Sequence, residues 1–245
     1  MDWGWRIPFA FGVVLFPVGL YLRSRVVETP VFERLAEEEV AREPPFSLMI
    51  RSYKSVLLLG FGISAICIVV SQTFNSCMPA YVAGHLSVPG SRVFLSVMLA
   101  SVAYSSVVPL SGFLSDRLGR RSVMMTGAVA SLILPPLGLL YLEAAPSMSS
   151  LLVLLVSANI CLATYCGTMC ATLCEIFPTR IRLSGLSTSY SLAVTIFGGL
   201  TPPLNLYLAQ QMHSAMAVML GMGLSAVLSI ICLLFIEDRH DVALH

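Results

Sequence analysis

The sequence predicts an all-α polytopic membrane protein with seven transmembrane helices, the last six forming one bundle of two three-helix repeats. Three observations carry this fold class. Of the 245 residues, 57% are hydrophobic and only 11% are charged, with a mean hydropathy of +0.86, which no soluble globular domain of this length shows. Seven apolar runs are long enough to cross about 30 Å of hydrocarbon at roughly 20 residues each. Lysine and arginine concentrate on alternate connections between these runs, the asymmetry that orients helices in a bilayer.

The runs extend from Trp5 to Leu22, Val56 to Asn75, Val93 to Leu114, Val123 to Leu142, Leu151 to Leu173, Leu186 to Leu208 and Ala215 to Ile236. Hydrocarbon offers backbone groups no water, so each run closes its own hydrogen bonds as a helix. The first run begins with Asp2-Trp3-Gly4-Trp5 and is followed by no small-residue cleavage site, so it is a span and not a signal peptide. Residues 23–54 form the one long hydrophilic connection, where Thr29 and Pro30 suit the cap and first position of a short surface helix. The expected organisation is therefore a lone helix at 1–22, a connecting loop at 23–54, a six-helix bundle at 55–236 and a tail at 237–245. Pro17, Pro109, Pro135-Pro136 and Pro202-Pro203 fall within spans and predict kinks. Gly198-Gly199, just before Thr201-Pro202-Pro203, is the clearest candidate for a flexible break.

Twelve of the fourteen basic residues lie on one side: Arg23, Arg25, Arg34, Arg42, Arg51, Lys54, Arg117, Arg120, Arg121, Arg180, Arg182 and Arg239. Only Arg6 and Arg92 lie on the other. The rich side is expected to be cytoplasmic, which places the C-terminus inside and, with an odd number of spans, the N-terminus outside. An outside start without a signal peptide needs something upstream to set it, so the chain is expected to be the later part of a longer protein.

Composition also removes function classes. No basic patch points to nucleic acid. The single lysine, Lys54, lies at a span edge, which excludes a retinal Schiff base. No nucleophile or metal constellation lies within the spans, so an intramembrane enzyme is not expected. The seven cysteines have no loop spacing of a disulfide framework and read as small packing residues. Cys166, Cys170 and Cys174 share a helix face, but no histidine or carboxylate completes a ligand set there, and no metal or other cofactor is expected.

The residues that remain fall into two groups. Gly112-Phe113-Leu114-Ser115-Asp116-Arg117-Leu118-Gly119-Arg120-Arg121 is a connection of about ten residues that places one carboxylate and three guanidinium groups at a membrane surface, with Gly112 and Gly119 easing the turn. Glu175, Arg180 and Arg182 make a second cluster on the same side. The arginines can simply anchor span ends, or the clusters can act as a gate in which Asp116 faces a helix N-terminus or an arginine and separates as that side opens. At membrane depth lie Gln72, Asn75, Tyr104, Asn159, Tyr165, Tyr190 and Asn205. Each can bond a neighbouring helix for about 0.6 kcal/mol, and as a set some are expected to line a central cavity, the amides Gln72, Asn75 and Asn159 first.

The 112–121 turn resembles the G-x-L-(S/A)-D-R-x-G-R-(R/K) loop of the major facilitator superfamily. Trp3-Gly4-Trp5-Arg6-Ile7-Pro8-Phe9, Glu28-Thr29-Pro30-Val31-Phe32, Glu175-Ile176-Phe177-Pro178-Thr179-Arg180-Ile181-Arg182 and the stretch from Gly185 to Pro202 resemble its metabolite:proton symporter family. The resemblance implies a twelve-helix transporter of the bacterial inner membrane, with this chain supplying the sixth helix onward and the facing bundle of the first five helices as its partner. It also implies that Asp116 is a conformational latch, that the solute is a small polar metabolite, and that a proton is the coupling ion. No Asp or Glu lies mid-membrane here, so the proton carrier is expected on the absent helices. The short tail has no heptads, which favours an organic acid over a proline- or betaine-type solute. The alternative reading is a seven-helix non-retinal receptor or sensor.

Overall fold

The structure is a computed structural model that describes residues 6–25, 45–85, 89–212 and 218–236. The surface helix expected at Thr29-Pro30, the Trp3-Gly4-Trp5 opening and the tail lie outside the described residues. The chain divides into two compact units, Met1–Glu43 and Pro44–His245. The first holds α1 (Ile7–Arg25), a helix that continues through Pro17.

In the second unit, every regular element among the described residues is helical. A short helix α2 (Pro45–Ser52) precedes α3 (Lys54–Ser71), which runs through a wide π-helical turn, Gln72–Cys77, into α4 (Met78–His85). Three long helices follow: α5 (Gly90–Leu118), α6 (Arg120–Ala144) and α7 (Met148–Ile176). Then come α8 (Arg182–Ala193), a second π-helical turn at Val194–Gly198, α9 (Gly199–Met212) and α10 (Val218–Leu234). Among the described residues, the predicted apolar runs overlap helical stretches. Lys54–Val82, α5, α6 and α7 are each long and apolar enough to cross a membrane, and α10 is a shorter apolar helix.

Local chemistry explains several boundaries. Ser147 opens α7 with a reciprocal cap: its hydroxyl accepts from Ser150 N at 3.2 Å, and the Ser150 hydroxyl accepts from Ser147 N at 3.0 Å, which satisfies donors that a helix start leaves open. The charged connection expected over 112–121 is far shorter in the structure. Both helices run into it, and Gly119 alone separates α5 from α6. Charged side chains at a helix end reach water while their backbone stays helical, so hydropathy overstates the length of such a turn. Gly119 makes the reversal possible with φ 89, a backbone that costs other residues about 1–2 kcal/mol. The break expected at Gly198-Gly199 is likewise helical. The π-helical turn widens the helix just ahead of Pro202, and Thr201 Oγ1 donates to Phe197 O at 2.5 Å.

Helix α7 is the centre of the bundle. It packs most extensively against α5 and α6, while α3 packs against α10 and α8. The closest packing therefore does not follow the chain-order triplets 55–144 and 148–236. Leu151, Leu154, Leu155, Ala158, Leu162, Tyr165, Met169 and Leu173 of α7 are all buried, and a helix buried on most of its surface belongs inside. Burial of the apolar window is 56% for α7 against 17% for α5. Phe94, Met98, Val102, Leu110 and Phe113 accordingly leave α5 with an exposed apolar face, a surface that needs hydrocarbon or another helix against it.

Close approach and a few hydroxyls hold the helices together, as expected where apolar burial gives no preference between helix and lipid. Ser111 Oγ of α5 donates to Ala163 O of α7 at 3.0 Å. Ser229 Oγ of α10 donates to Gly62 O of α3 at 2.7 Å and accepts from Ile66 N at 3.2 Å. Met49 fixes α2 by packing with Phe177 and Ile181, beyond the end of α7.

Candidate functional site: a polar cavity and an ion-pair cluster

A cavity of about 430 Å³ lies midway along the long helices, between α3 and its π-helical turn, α5, α7 and α8. Its lining includes Ser71, Gln72, Asn75, Ser101, Tyr104, Ser105, Asn159 and Tyr190. Five of the seven polar residues singled out from the sequence therefore surround one space. No Asp, Glu, Lys, Arg or His is among its lining residues, so this wall offers neutral donors and acceptors. Asn159 spans two helices, donating to Asn75 Oδ1 at 3.2 Å and to Leu155 O at 2.9 Å. Gln72, Asn75 and Asn159 are the amides of this wall, each with both donor and acceptor groups.

The other two residues lie elsewhere. Tyr165 is 1% exposed, and its hydroxyl donates to Ile63 O at 2.8 Å. Asn205 is 4% exposed and donates to Thr73 Oγ1 at 3.1 Å. Both have their polar groups satisfied inside the packing, which is what burial demands. Tyr165→Phe is expected to lower stability by about 1 kcal/mol, read as a lower unfolding midpoint.

Sequence reading missed Ser71, Ser101, Ser105 and Cys67 of the lining. A signal for the serines was available, because Ser101, Tyr104 and Ser105 have the spacing of one helix face, as do Ser71, Gln72 and Asn75. No such signal existed for Cys67. The structure joins it in a disulfide to Cys166, 99 residues away and with Cα atoms 6.4 Å apart, which corrects the expectation that all seven cysteines are packing residues. Spacing along a chain says nothing about which faces of two distant helices meet. Cys77, Cys161, Cys170, Cys174 and Cys232 are free, and no group of three or more His, Cys, Asp or Glu that could hold a metal occurs among the described residues.

At the charged end of the bundle the structure unites three residues from the two clusters. Arg120 Nε lies 2.6 Å from Glu175 Oε1, and an Arg120 terminal nitrogen lies 3.6 Å from Asp116 Oδ1. The Nε group has no aligned hydrogen-bond acceptor, so its close contact is an ion pair and not a directed hydrogen bond. The side chains of Arg120 and Glu175 are 22% and 20% exposed, against 65% for Asp116. The first pair is consequently the stronger one, and Asp116 contributes little to it. A second cavity, of about 290 Å³, adjoins Arg120, Arg121, Thr172 and Glu175, leaving the pair room to separate.

The remaining cluster residues have local partners. Arg117 sits over the Phe113 ring, its guanidinium carbon 4.4 Å from the centroid, a cation–π contact one turn back on its own helix. Arg121 donates to Ile236 O at 3.4 Å, just beyond the C-terminal end of α10, where positive charge is favoured. Arg182 reaches Phe177 O at 3.5 Å and Thr179 Oγ1 at 3.2 Å. The backbone of Arg180 forms part of the short 3₁₀ turn Thr179–Ile181, and its side chain lies outside what the structure describes. Gly112 faces α7 at a point where an added Cβ meets Gly167 O at 3.7 Å, ordinary contact.

Comparison with known proteins agrees with this architecture. Residues 60–244 match the Major Facilitator Superfamily. The chain is 30% identical over 243 residues to a citrate-proton symporter of Klebsiella pneumoniae, covering 99% of this chain and 54% of that protein. It is 32% identical to an inner membrane metabolite transport protein of Escherichia coli (98% of this chain, 56% of the relative). It is 30% identical to the proline/betaine transporter of the same organism (88% and 45%). The chain thus spans about half the length of the curated relatives it matches. No solved structure matches it at a significant level. An all-helical bundle with long apolar helices and a match over most of its length identify the chain as a multi-pass membrane protein of the major facilitator superfamily, in its metabolite:proton symporter family.

Proposed function

We propose that this chain supplies one wall of a proton-coupled secondary transporter that carries a small polar metabolite by alternating access. The observation that carries the reading is the cavity lined by Gln72, Asn75, Tyr104, Asn159 and Tyr190. It lies midway along the membrane-length helices, where transporters of this kind hold their solute. Its volume is in the range of small-molecule sites.

The charged end is cytoplasmic in this reading, with the C-terminus inside and the N-terminus outside. The ion-pair cluster of Asp116, Arg120 and Glu175 is its gate. Arg120 and Glu175 tie the start of α6 to the end of α7, while exposed Asp116 has the reach to meet a facing bundle. Gly119 sets the turn, and Arg117, Arg121, Arg180 and Arg182 hold the helix ends at the headgroups. The six helices after residue 54 form two three-helix repeats facing a second bundle, which the relatives' greater length supports. That second bundle supplies the proton carrier, since the cavity wall has no titratable carboxylate.

Relatives include both citrate and proline/betaine carriers. An organic acid is the favoured solute, its charge being met by a cation on the facing bundle. Proteoliposomes test the reading. With the facing bundle present, a proton gradient is expected to drive uptake of labelled citrate ahead of proline and glycine betaine. The 245-residue chain alone is expected to match empty vesicles, and uptake by it would refute the two-bundle reading.

A further inference from the structure

We propose that Cys67 and Cys166 form an oxidisable tie across the cavity wall, a modification site that a small-molecule disulfide can reach. Three contacts join α3 and its π-helical turn to α7 in succession. Tyr165 bonds Ile63 O at 2.8 Å, Cys67 pairs with Cys166, and Asn159 bonds Asn75 at 3.2 Å. Positions 67 and 75 are about two helical turns apart, as are 159 and 166, so the disulfide and the amide bond are successive rungs between the same two helices. Cys67 lines the cavity, and both cysteines of the pair are half-buried, which gives a polar reagent a route to the sulfur.

Exchange follows from that access. The Cys67 thiolate attacks one sulfur of a disulfide RSSR and expels RS⁻; the Cys166 thiolate then attacks Cys67 Sγ and expels the second RS⁻. Two electrons pass from the cysteine pair to RSSR, and the two thiol protons leave with two RSH. Excess small dithiol reverses the reaction. In the oxidised form a covalent bond fixes the end of α3 just before the π-helical turn that presents Gln72 and Asn75 to the cavity. In the reduced form hydrogen bonds alone hold that wall.

The test uses the full chain in detergent or liposomes, treated with 2-hydroxyethyl disulfide or with a phosphine reductant, then denatured and labelled with a maleimide polymer. Seven labels are expected after reduction; after oxidation reachable free cysteines are held as mixed disulfides, and non-reducing mass analysis of the digested chain is expected to find Cys67 and Cys166 in one cross-linked peptide pair with no added 2-hydroxyethylthio group. Cys67→Ser and Cys166→Ser are each expected to form no cross-link and, after oxidation, to carry the 2-hydroxyethylthio group on the surviving cysteine, which no partner thiolate can expel. Oxidation is also expected to raise the unfolding midpoint of the unsubstituted chain by about 5 °C and to leave both variants unchanged. Absence of the Cys67–Cys166 cross-link after oxidation, a 2-hydroxyethylthio group left on Cys67 or Cys166 of the unsubstituted chain, or an identical midpoint in the oxidised and reduced chain each overturns the tie.

Discussion

Replacing Arg120 by alanine is expected to loosen the charged end of the bundle. Glu175 keeps its carboxylate at 20% exposure with its 2.6 Å partner removed. Leaving one member of such a pair alone is costly because the survivor has lost its water as well as its counter-charge, and for a partly buried pair the cost is about 1–3 kcal/mol. Glu175→Ala is expected to cost a similar amount. The double variant is expected to cost less than the two together, since the second substitution removes the stranded charge. Asp116→Ala is expected to change stability by no more than about 0.5 kcal/mol, because Asp116 is 65% exposed and its 3.6 Å contact is screened by water. A double-variant cycle on unfolding midpoints checks all of this, and strict additivity of Arg120→Ala and Glu175→Ala would show that the pair carries no coupling.

Gly127→Leu is expected to block assembly of the bundle. A Cβ at this position meets Tyr165 N at 2.9 Å and Cys161 O at 3.2 Å. Both are backbone atoms of the central helix, so neither can move aside as a flexible side chain would. Overpacking at well-packed sites typically costs about 1–3 kcal/mol, and a branched side chain pressed on a helix backbone belongs at or above the upper end. Separation of α6 from α7 would also strip cover from Leu139, Leu142, Leu154 and Leu155, all at most 1% exposed. Gly199→Leu is the control, because nothing lies within 4 Å of its added Cβ. The yield of monodisperse protein in detergent is expected to collapse for Gly127→Leu and to persist for Gly199→Leu. Equal yields would show that the close approach of α6 to α7 is not tight.

The helices were legible because a span must be apolar throughout its length, and that requirement shows in every window of sequence. Their ends were less so. Asp116, Arg117 and Leu118 remain helical although two of them are charged, since only their side chains need water. Charge identified Arg120 and Glu175 as members of clusters but did not pair them, because the sequence does not say which arginine of the turn faces the end of α7. Among the mid-span polar residues, type alone could not separate Tyr104 at the cavity from Tyr165 in the core, or Asn159 from Asn205. Which face of a helix meets a neighbour depends on packing, and Tyr165 is committed to Ile63 O by the close approach of α3 to α7. The Cys67–Cys166 pair left no signal, because it joins segments 99 residues apart in the chain.

The claim that the cavity residues face the solute is tested most directly by uptake kinetics of the complete transporter carrying Asn75→Ala. Asn75 stands on the π-helical turn and shares its hydrogen bond with Asn159 at the cavity wall. Loss of its solute contact is expected to raise KM about tenfold, the equivalent of roughly 1.4 kcal/mol, with the amount of folded protein retained. Asn205→Ala, altered in the core beside Thr73, is expected to lower the amount of folded protein and leave KM within about twofold. An unchanged KM in Asn75→Ala, or a shift confined to Asn205→Ala, would contradict the assignment of the cavity as the solute site.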